Sequence, residues 1–516
     1  MKLITDKITL MKSSISLFII FSIVSKFIGL FRDILFSYLY GTSFISDAYF
    51  VSTSIPNLLY AFLGGAIGAG FIPVFSKTIE KDSISKGNLF VNNLILLFSI
   101  FSLFFTIILI LFPYQFIDLL APGFNQIQRS ISANFLIITS LTLVFTTFVA
   151  ISSNLIKFFN DFITPVASGI VSSIIQIIFL FLSLNFNNLT LLPFGYFVSI
   201  SIQVIFFIPF YKNTKHKFFF NLKANFDQLI QFLIIILPTL LSVSIQDVTS
   251  LFIKSTSSFF EEGTLSIFHY STRLNDLWFS FLVIPISIYI HPLLSKYFFS
   301  NDFFNYTRVI SKSLKLIFSF LIPIVIFIFY FHDQITSLVF LYGNMEIQSI
   351  NKISDLFFLL HFGLIPISLI QIIGISYFSK GKTHIPIFFS LINLVFFLLF
   401  NRIFIEVFNF GIDGLAVSTS FSSFLTSILF LIYFLIYNKT LIHSFFKITI
   451  YRLIPYIIFF FGISYSLKFI FNSLPFNPLL NFSFIVLAYL FGFILIFKWF
   501  YRLYNFRSLL TWNFLK

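Results

Sequence analysis

Residues 22–73 read SIVSKFIGLFRDILFSYLYGTSFISDAYFVSTSIPNLLYAFLGGAIGAGFIP, and this stretch decides how the fold is predicted. It is typical of two membrane spans that carry four charged residues, Lys26, Arg32, Asp33 and Asp47. A charge at the centre of a membrane costs at least ~2.5 kcal/mol on insertion scales, so such residues are expected to face a partner, a cavity or a substrate. We therefore predict a functional site in this hairpin.

Both predicted helices of the hairpin have a polar or small-residue face. On the first helix these residues recur at spacings of three and four, which places them on one face: Ser22, Lys26, Gly29, Asp33 and Ser37. On the second helix the corresponding face is interrupted by Pro56 and contains Asp47, Ser54, Ala61, Gly65 and Gly68. An alternative interpretation is that Lys26 with Asp33, or Arg32 with Asp47, are structural ion pairs.

The composition of the chain excludes a soluble globular protein. Hydrophobic residues make up 58% of the 516 residues and charged residues 10%, and the mean hydropathy is +1.00. These values are typical of a polytopic helical membrane protein. The absence of cysteine excludes disulfides, thiol catalysis and cysteine metal sites. The first apolar segment carries internal charges, so we expect a retained span rather than a cleaved signal peptide.

Hydropathy predicts fourteen apolar segments. They lie near residues 12–38, 44–73, 89–113, 131–157, 163–185, 189–211, 228–259, 264–292, 309–331, 352–379, 384–401, 410–437, 449–471 and 479–498. Most of the 32 Lys and Arg residues fall in every second connecting segment, which is the pattern of cytoplasmic loops. This alternation predicts cytoplasmic N- and C-termini. It also explains the net charge of +14 without a nucleic-acid partner.

The chain contains a weak internal repeat at an offset of about 220 residues. Four matches in the same order support it: residues 71–77 with 290–296, Gly123 with Gly343, Pro165 with Pro386, and residues 195–201 with 414–420. Each copy contains six spans, an even number, so both copies enter the membrane in the same direction. Such parallel repeats are typical of transporters that bind substrate between two lobes.

The predicted fold is an all-α polytopic membrane protein with about fourteen transmembrane helices. It has two six-helix lobes related by a parallel repeat, and two further C-terminal helices. The predicted domains are an N-terminal lobe at 1–211, a cytoplasmic inter-lobe loop at 212–226, a C-terminal lobe at 227–437, and spans thirteen and fourteen with a basic tail at 438–516.

The repeat pairs spans one and two with spans seven and eight, where the other charged residues at membrane depth lie. The predicted substrate-binding residues are Arg32, Arg273, Lys26, Asp33, Asp47, Lys254 and Asp276. Arg32 and Arg273 are the strongest candidates for binding an anion, because a guanidinium presents a rigid fork of donors to phosphate and keeps its charge. We expect these residues to converge on the cleft between the lobes.

No catalytic pattern is found in the sequence. The seven histidines are scattered without metal-ligand spacing, and neither a phosphate-binding glycine loop nor a nucleophile elbow occurs. The predicted external loops are short, which argues against an enzyme that must hold sugars there. We expect a transporter without a cofactor; the sequence leaves open whether an ion or the membrane potential drives it.

Several motifs together resemble the MurJ (MviN) family of lipid II flippases. They are GLFRDILFSYLYG, SDAYF, IPNLL and GGAIGAGFIPVFS in the hairpin, LLAPGF at 119–124, the N-x-F-x-x-P pattern at 160–165, STRL around Arg273 and GLAVSTS at 414–420. The resemblance covers roughly residues 15–430. It implies a fold of the multidrug, oligosaccharidyl-lipid and polysaccharide exporter superfamily, and transport of an undecaprenyl-diphosphate-linked glycan lipid to the outer leaflet of the bacterial cytoplasmic membrane. It also implies membrane lipids and cell-wall synthesis proteins as partners.

The resemblance also assigns roles to individual positions. It matches Lys26, Arg32, Asp33, Asp47 and Arg273 to the family's charged positions on spans one, two and eight. This chain departs from many members at Tyr60 and Ala61, where they have two arginines. The sodium site of some members would fall on Asp247 and Asn393 here.

Two other transporter functions fit the same residues. One is a flippase for another undecaprenyl-diphosphate-linked oligosaccharide, and the other is a cation-coupled multidrug exporter. A drug exporter needs a carboxylate for its coupling ion but no diphosphate ligands, so the importance of Arg32 and Arg273 distinguishes the two classes. A structural membrane scaffold would not need charged residues at membrane depth near the interface between the lobes.

Overall fold

The computed structural model describes residues 2–81, 83–159, 161–213, 226–437, 439–473 and 478–504, and these residues form helices without any β-strand. This confirms the predicted all-helical fold. Most of the predicted inter-lobe loop, residues 214–225, and the tail from residue 505 lie outside the described residues.

The chain divides into two compact units. Unit 1 comprises Met1–Tyr270 and the short loop Tyr342–Glu346, and unit 2 comprises Ser271–Leu341 and Ile347–Lys516. This division falls later in the chain than the boundary that the repeat predicts. The predicted lobe boundaries therefore stay a prediction.

The helices of the first half largely cover the predicted apolar segments, and several extend beyond them; α1, for example, begins ten residues before its segment. In chain order they are α1 (Lys2–Tyr40), α2 (Phe44–Ser52), α3 (Ser54–Lys81), α4 (Ile84–Leu111), α5 (Pro113–Leu120), α6 (Gln126–Ser140), α7 (Thr142–Phe158), α8 (Ile163–Asn185), α9 (Leu191–Asn213) and α10 (Phe226–Ser257). Within unit 1, α1 packs on α8, α8 packs on α9, and α3 packs on both α7 and α10. Phe232 of α10 lies in the same buried apolar cluster as Phe75 and Phe90, which attaches α10 to unit 1.

The remaining helices follow the same pattern. They are α11 (Thr264–Trp278), α12 (Ile284–Phe299), α13 (Phe303–Phe340), α14 (Ile347–His361), α15 (Leu364–Phe378), α16 (His384–Arg402), α17 (Gly411–Tyr437), α18 (Lys439–Ser473) and α19 (Pro478–Tyr504). A π-helical turn at Phe279–Val283 joins α11 to α12, and another at Ile403–Val407 follows α16. In unit 2, α17 packs on α15 and α16, and α13 packs on α18.

Eight helical segments of the described residues are long and apolar enough to cross a membrane. They are Ile84–Leu111, Ile163–Asn185, Leu191–Tyr211, Thr264–Phe299, Phe303–Phe340, His384–Val407, Gly411–Tyr437 and Ile454–Phe471. Two bent helix pairs raise the number to ten if each pair is one span. Every predicted apolar segment coincides with a helix or a helix pair. The count of fourteen spans is not confirmed and stays a prediction.

The two bent pairs occupy corresponding positions in the repeat. The pair α6 and α7 in unit 1 and the pair α14 and α15 in unit 2 are each bent by 43°. Their first helices begin at Gln126 and Ile347, which are separated by the offset that the sequence matches predict. The same bend therefore occurs at matching positions of the predicted repeat.

Candidate functional site

Arg32 is held from two directions in the interior of unit 1. Its Nε and Nη2 atoms donate to Oδ1 of Asp33 at 2.9 and 2.6 Å. Its Nη1 donates to Oε1 of Gln176 on α8 at 3.0 Å. Arg32 thus pairs with its neighbour in sequence, an arrangement that differs from the predicted alternative of a pair with Asp47.

The glutamine that contacts Arg32 belongs to a buried polar network. Nε2 of Gln176 donates to the hydroxyls of Ser199 at 3.0 Å and Ser172 at 3.4 Å. The Ser199 hydroxyl in turn donates to the carbonyl of Tyr196 at 2.7 Å. Since α1, α8 and α9 pack together, the network joins three helices around the guanidinium.

The geometry leaves part of the guanidinium for a ligand. An arginine side chain has five N–H groups, and three of those of Arg32 are used by Asp33 and Gln176. The side chain is 23% exposed. A positive group that is fixed in orientation, partly accessible and still able to donate is suited to binding an oxyanion.

Asp47 has a clear structural contact. Its carboxylate accepts hydrogen bonds from the backbone N–H groups of Gly263, at 2.7 Å, and Ser266, at 2.8 Å. These donors lie at the N-terminus of α11, where N–H groups lack partners within the helix and negative charge is stabilised. Asp47 is 2% exposed, so in this structure it caps α11.

Lys254 of α10 lies at the break between α2 and α3. Pro56 lacks the N–H that would bond the carbonyl of Ser52, and the hydroxyl of Thr139 donates to that carbonyl instead, at 2.9 Å. Nζ of Lys254 donates to the hydroxyl of Ser54 at 2.5 Å and to the carbonyl of Phe50 at 3.2 Å. A positive charge is stabilised at the C-terminal end of a helix, so Lys254 caps α2.

The structure does not test any of the predicted site residues as ligands. Lys26 is exposed on α1, and Arg273 and Asp276 are exposed on the part of α11 that belongs to unit 2. Their roles stay predictions.

The two residues of the predicted sodium site belong to different units. Asp247 lies in unit 1, where its buried Oδ2 has no hydrogen-bond partner among the described residues. Asn393 in unit 2 accepts from Thr426 at 3.3 Å. The described residues include no group of three or more His, Asp or Glu side chains that could hold a metal ion. The ion-coupling role of both residues stays a prediction.

Sequence reasoning missed Gln176 and its network. A signal was present, because Ser168, Ser172 and Gln176 recur at intervals of four residues within an apolar span, which places amide and hydroxyl groups on one helix face. It also missed the bond from the Tyr196 hydroxyl to Oδ1 of Asn57, at 2.8 Å.

Comparison with known proteins gives a consistent result. A family model described as lipid II flippase MurJ matches residues 36–487. The probable lipid II flippase MurJ of Buchnera aphidicola subsp. Baizongia pistaciae (strain Bp) is 27% identical over 414 residues, which are 79% of this chain and 80% of that protein.

Solved structures agree on the fold. A lipid II flippase MurJ in an inward closed conformation superimposes with a TM-score of 0.77 at 24% identity, covering 94% of this chain and 99% of that one. An inward-facing multidrug resistance MATE family transporter of the MOP superfamily has a TM-score of 0.69 at 13% identity, covering 81% of this chain and 95% of that one. Because the family model matches most of the sequence, the chain belongs to the lipid II flippase MurJ family.

Proposed function

We propose that this protein moves lipid II, the undecaprenyl-diphosphate-linked disaccharide pentapeptide, from the inner to the outer leaflet of the bacterial cytoplasmic membrane. The observation that carries the proposal is the match of the MurJ family model to residues 36–487. The repeated pair of bent helices supports a two-lobe transporter, and parallel repeats of this kind work by alternating access.

The chemical problem in this transport is the diphosphate. An anionic group loses much of its hydration when it leaves water, so a transporter must replace water with fixed positive donors. Arg32 has the required properties, since it is oriented by Asp33 and Gln176 and keeps two N–H groups for phosphate oxygens. In this proposal Asp33 acts by holding the guanidinium.

Arg273 is proposed to supply a second guanidinium. The support comes from its residue type, its predicted membrane depth and its position in the STRL motif. The N- and C-termini are proposed to face the cytoplasm, because basic residues alternate along the connecting segments.

Complementation of a bacterium depleted of its own lipid II flippase tests the function. The wild-type chain should restore growth and the accessibility of lipid II on the outer leaflet. An expressed, membrane-inserted protein that restores neither would contradict the proposed substrate.

The role of Arg32 is tested in the same strain with Arg32→Lys. Lysine keeps the charge but loses the guanidinium fork, so we expect this variant to reach the membrane and fail to restore growth. Arg129→Lys is the matched control, because Arg129 also pairs with an aspartate, Asp118, but is 40% exposed. Full activity of Arg32→Lys would remove Arg32 from the diphosphate site.

The role of Arg273 is tested by exchanging it with Asp276. If Arg273 serves only in ion pairing, the charge-exchanged variant should restore growth. If it is a ligand, the exchange should abolish flipping, as should Arg273→Lys.

A further inference from the structure

A buried glutamine and a buried serine outside the predicted charge cluster are linked to Arg32 by a chain of hydrogen bonds. Gln176 is 7% exposed and Ser199 is fully buried. They lie on α8 and α9, whereas Arg32 lies on α1. Their bonds form a chain that runs from the guanidinium to the backbone of α9.

The last hydrogen bond of this chain, from Ser199 to the backbone, fixes the direction of the others. The Ser199 hydroxyl has one hydrogen and donates it to the carbonyl of Tyr196 at 2.7 Å, so towards Gln176 it can only accept. The amide of Gln176 must therefore present its NH₂ group to Ser199, at 3.0 Å. The opposite amide orientation would place two acceptor oxygens against each other at Ser199 and two donors against each other at Arg32.

This orientation has a consequence for Arg32. With its NH₂ group towards Ser199, Gln176 turns its carbonyl oxygen towards Nη1 of Arg32, at 3.0 Å. A guanidinium has only donors, so it requires an acceptor at this position. Asp33 holds the opposite edge through Nε and Nη2, and rotation of the guanidinium plane is blocked from both sides.

We propose that Gln176 is a positioning residue for the diphosphate of the substrate, and that Ser199 fixes its amide orientation. Gln176 acts through Arg32, presenting the two remaining N–H groups of the guanidinium to the phosphate oxygens. A preorganised donor loses less conformational entropy on binding than a free side chain. The inference rests on the proposed function of Arg32 and adds two uncharged residues to it.

The first test measures binding of undecaprenyl diphosphate to the purified full chain in detergent, with a neutral polyprenol of the same length as reference lipid. Gln176→Leu removes the hydrogen bonds to Arg32, Ser199 and Ser172 with little change in volume. We expect affinity for the diphosphate lipid to fall about tenfold. Affinity for the neutral polyprenol should stay unchanged. Ser199→Ala should give a smaller loss in the same direction, because the amide then loses its fixed orientation.

Gln203→Leu is the matched control. Gln203 lies on α9, is 6% exposed, and contacts the hydroxyl of Ser168 at 3.5 Å rather than Arg32. If Gln176 contributes only to stability, Gln176→Leu and Gln203→Leu should both lower the melting temperature. Neither variant should then change the affinity for undecaprenyl diphosphate relative to that for the neutral polyprenol. That result would overturn the proposal.

A double-mutant cycle separates this inference from the proposed role of Arg32. If Gln176 acts through the guanidinium, Gln176→Leu should have no further effect on diphosphate binding in an Arg32→Lys background. Additive losses would show that Gln176 acts elsewhere and would overturn the inference alone. If Arg32→Lys binds like wild type while Gln176→Leu is impaired, both the role of Arg32 and the inference are wrong.

Discussion

Asp47 shows how backbone N–H groups can stabilise a buried carboxylate. Its two oxygens accept from the N–H groups of Gly263 and Ser266 at the start of α11. Asp47→Ala leaves both donors without this acceptor, and we expect the free energy of unfolding to fall by about 2–4 kcal/mol. Thermal or denaturant unfolding of the purified protein measures the loss.

Two further variants make this prediction specific. Asp47→Asn keeps one acceptor oxygen and should lose roughly half as much stability as Asp47→Ala. Asp302 caps α13 from outside that helix by accepting from the N–H of Asn305, so Asp302→Ala is a control cap and should cost less. Asp302 is less buried than Asp47, so equal losses for Asp47→Ala and Asp302→Ala would show that burial of the carboxylate does not increase the contribution of the cap.

Lys380, which follows the predicted span at 352–379, should make the folding stability depend on pH. Burial, with a smaller contribution from the positive charge of Lys382, lowers the pKa of Lys380 to about 8. Its ammonium faces the rings of Tyr306 and Tyr377, at 4.8 and 5.4 Å.

The sign of the effect follows from proton binding. Between pH 8 and the ordinary lysine pKa of 10.5, the unfolded chain binds a proton that the folded chain lacks, so stability from this group rises with pH. Below pH 8 Lys380 is charged in both the folded and the unfolded chain, and the free-energy cost of burying its charge then lowers stability in full. Lys380→Met should remove this rise in unfolding measurements between pH 8 and 10; an unchanged pH profile would contradict the prediction.

At the same scale, the sequence predicted charges but not their partners. Arg32 was identified because charge at membrane depth is costly, whereas its bond to Asp33 depends on the rotamers of adjacent residues. The capping role of Asp47 depends on where α11 begins, more than 200 residues further along the chain. Gln176 carries no charge, and its role is visible only once α8 lies beside α1.

Among the helices, the bend between α14 and α15 depends on a side chain of a neighbouring helix. The hydroxyl of Ser420 on α17 donates to the carbonyls of Leu359 and Leu360, at 2.8 and 3.3 Å. A break in a helix leaves carbonyls without their usual N–H partners, so this hydroxyl stabilises the bend. The sequence predicted one continuous segment at 352–379, although Pro366 follows the break by three residues and cannot donate a backbone N–H to the preceding turn.

Ser420→Ala tests the role of this hydroxyl. We expect the free energy of unfolding to fall by about 1 kcal/mol more than for Ser418→Ala. Ser418 is a buried serine of the same helix whose hydroxyl donates to the carbonyl of Gly414, within α17. Equal losses in denaturant unfolding would show that the bend does not need the hydroxyl.

At the scale of the whole chain, the repeat is visible in two contacts of unit 1. A Cβ atom on Gly123 would lie 2.3 Å from the carbonyl oxygen of Ser258, and one on Gly343 would lie 2.1 Å from that of Tyr38. The repeat offset of about 220 residues relates Gly123 to Gly343, and it relates Tyr38 to Ser258. Each contact is therefore the counterpart of the other, with the loop of one repeat against the first helix of the other.

Because the two contacts are counterparts, we expect them to open together. Gly123→Ala places a methyl group against backbone, and such overlap costs about 1–3 kcal/mol. If the contacts are coupled, this change should also loosen the loop at Gly343. A lowering of the opening free energy by about 1.4 kcal/mol would raise the rate of modification of a buried residue in that loop roughly tenfold.

Met345→Cys provides the measurement, since Met345 is 9% exposed in the 342–346 loop and the chain has no other cysteine. Maleimide should label this cysteine faster in Gly123→Ala than in the wild-type background, in protein reconstituted into nanodiscs. Gly29→Ala is the control, because a Cβ atom there meets nothing within 4 Å. Faster labelling with Gly343→Ala but not with Gly123→Ala would mean that the two contacts open independently, although the repeat relates them.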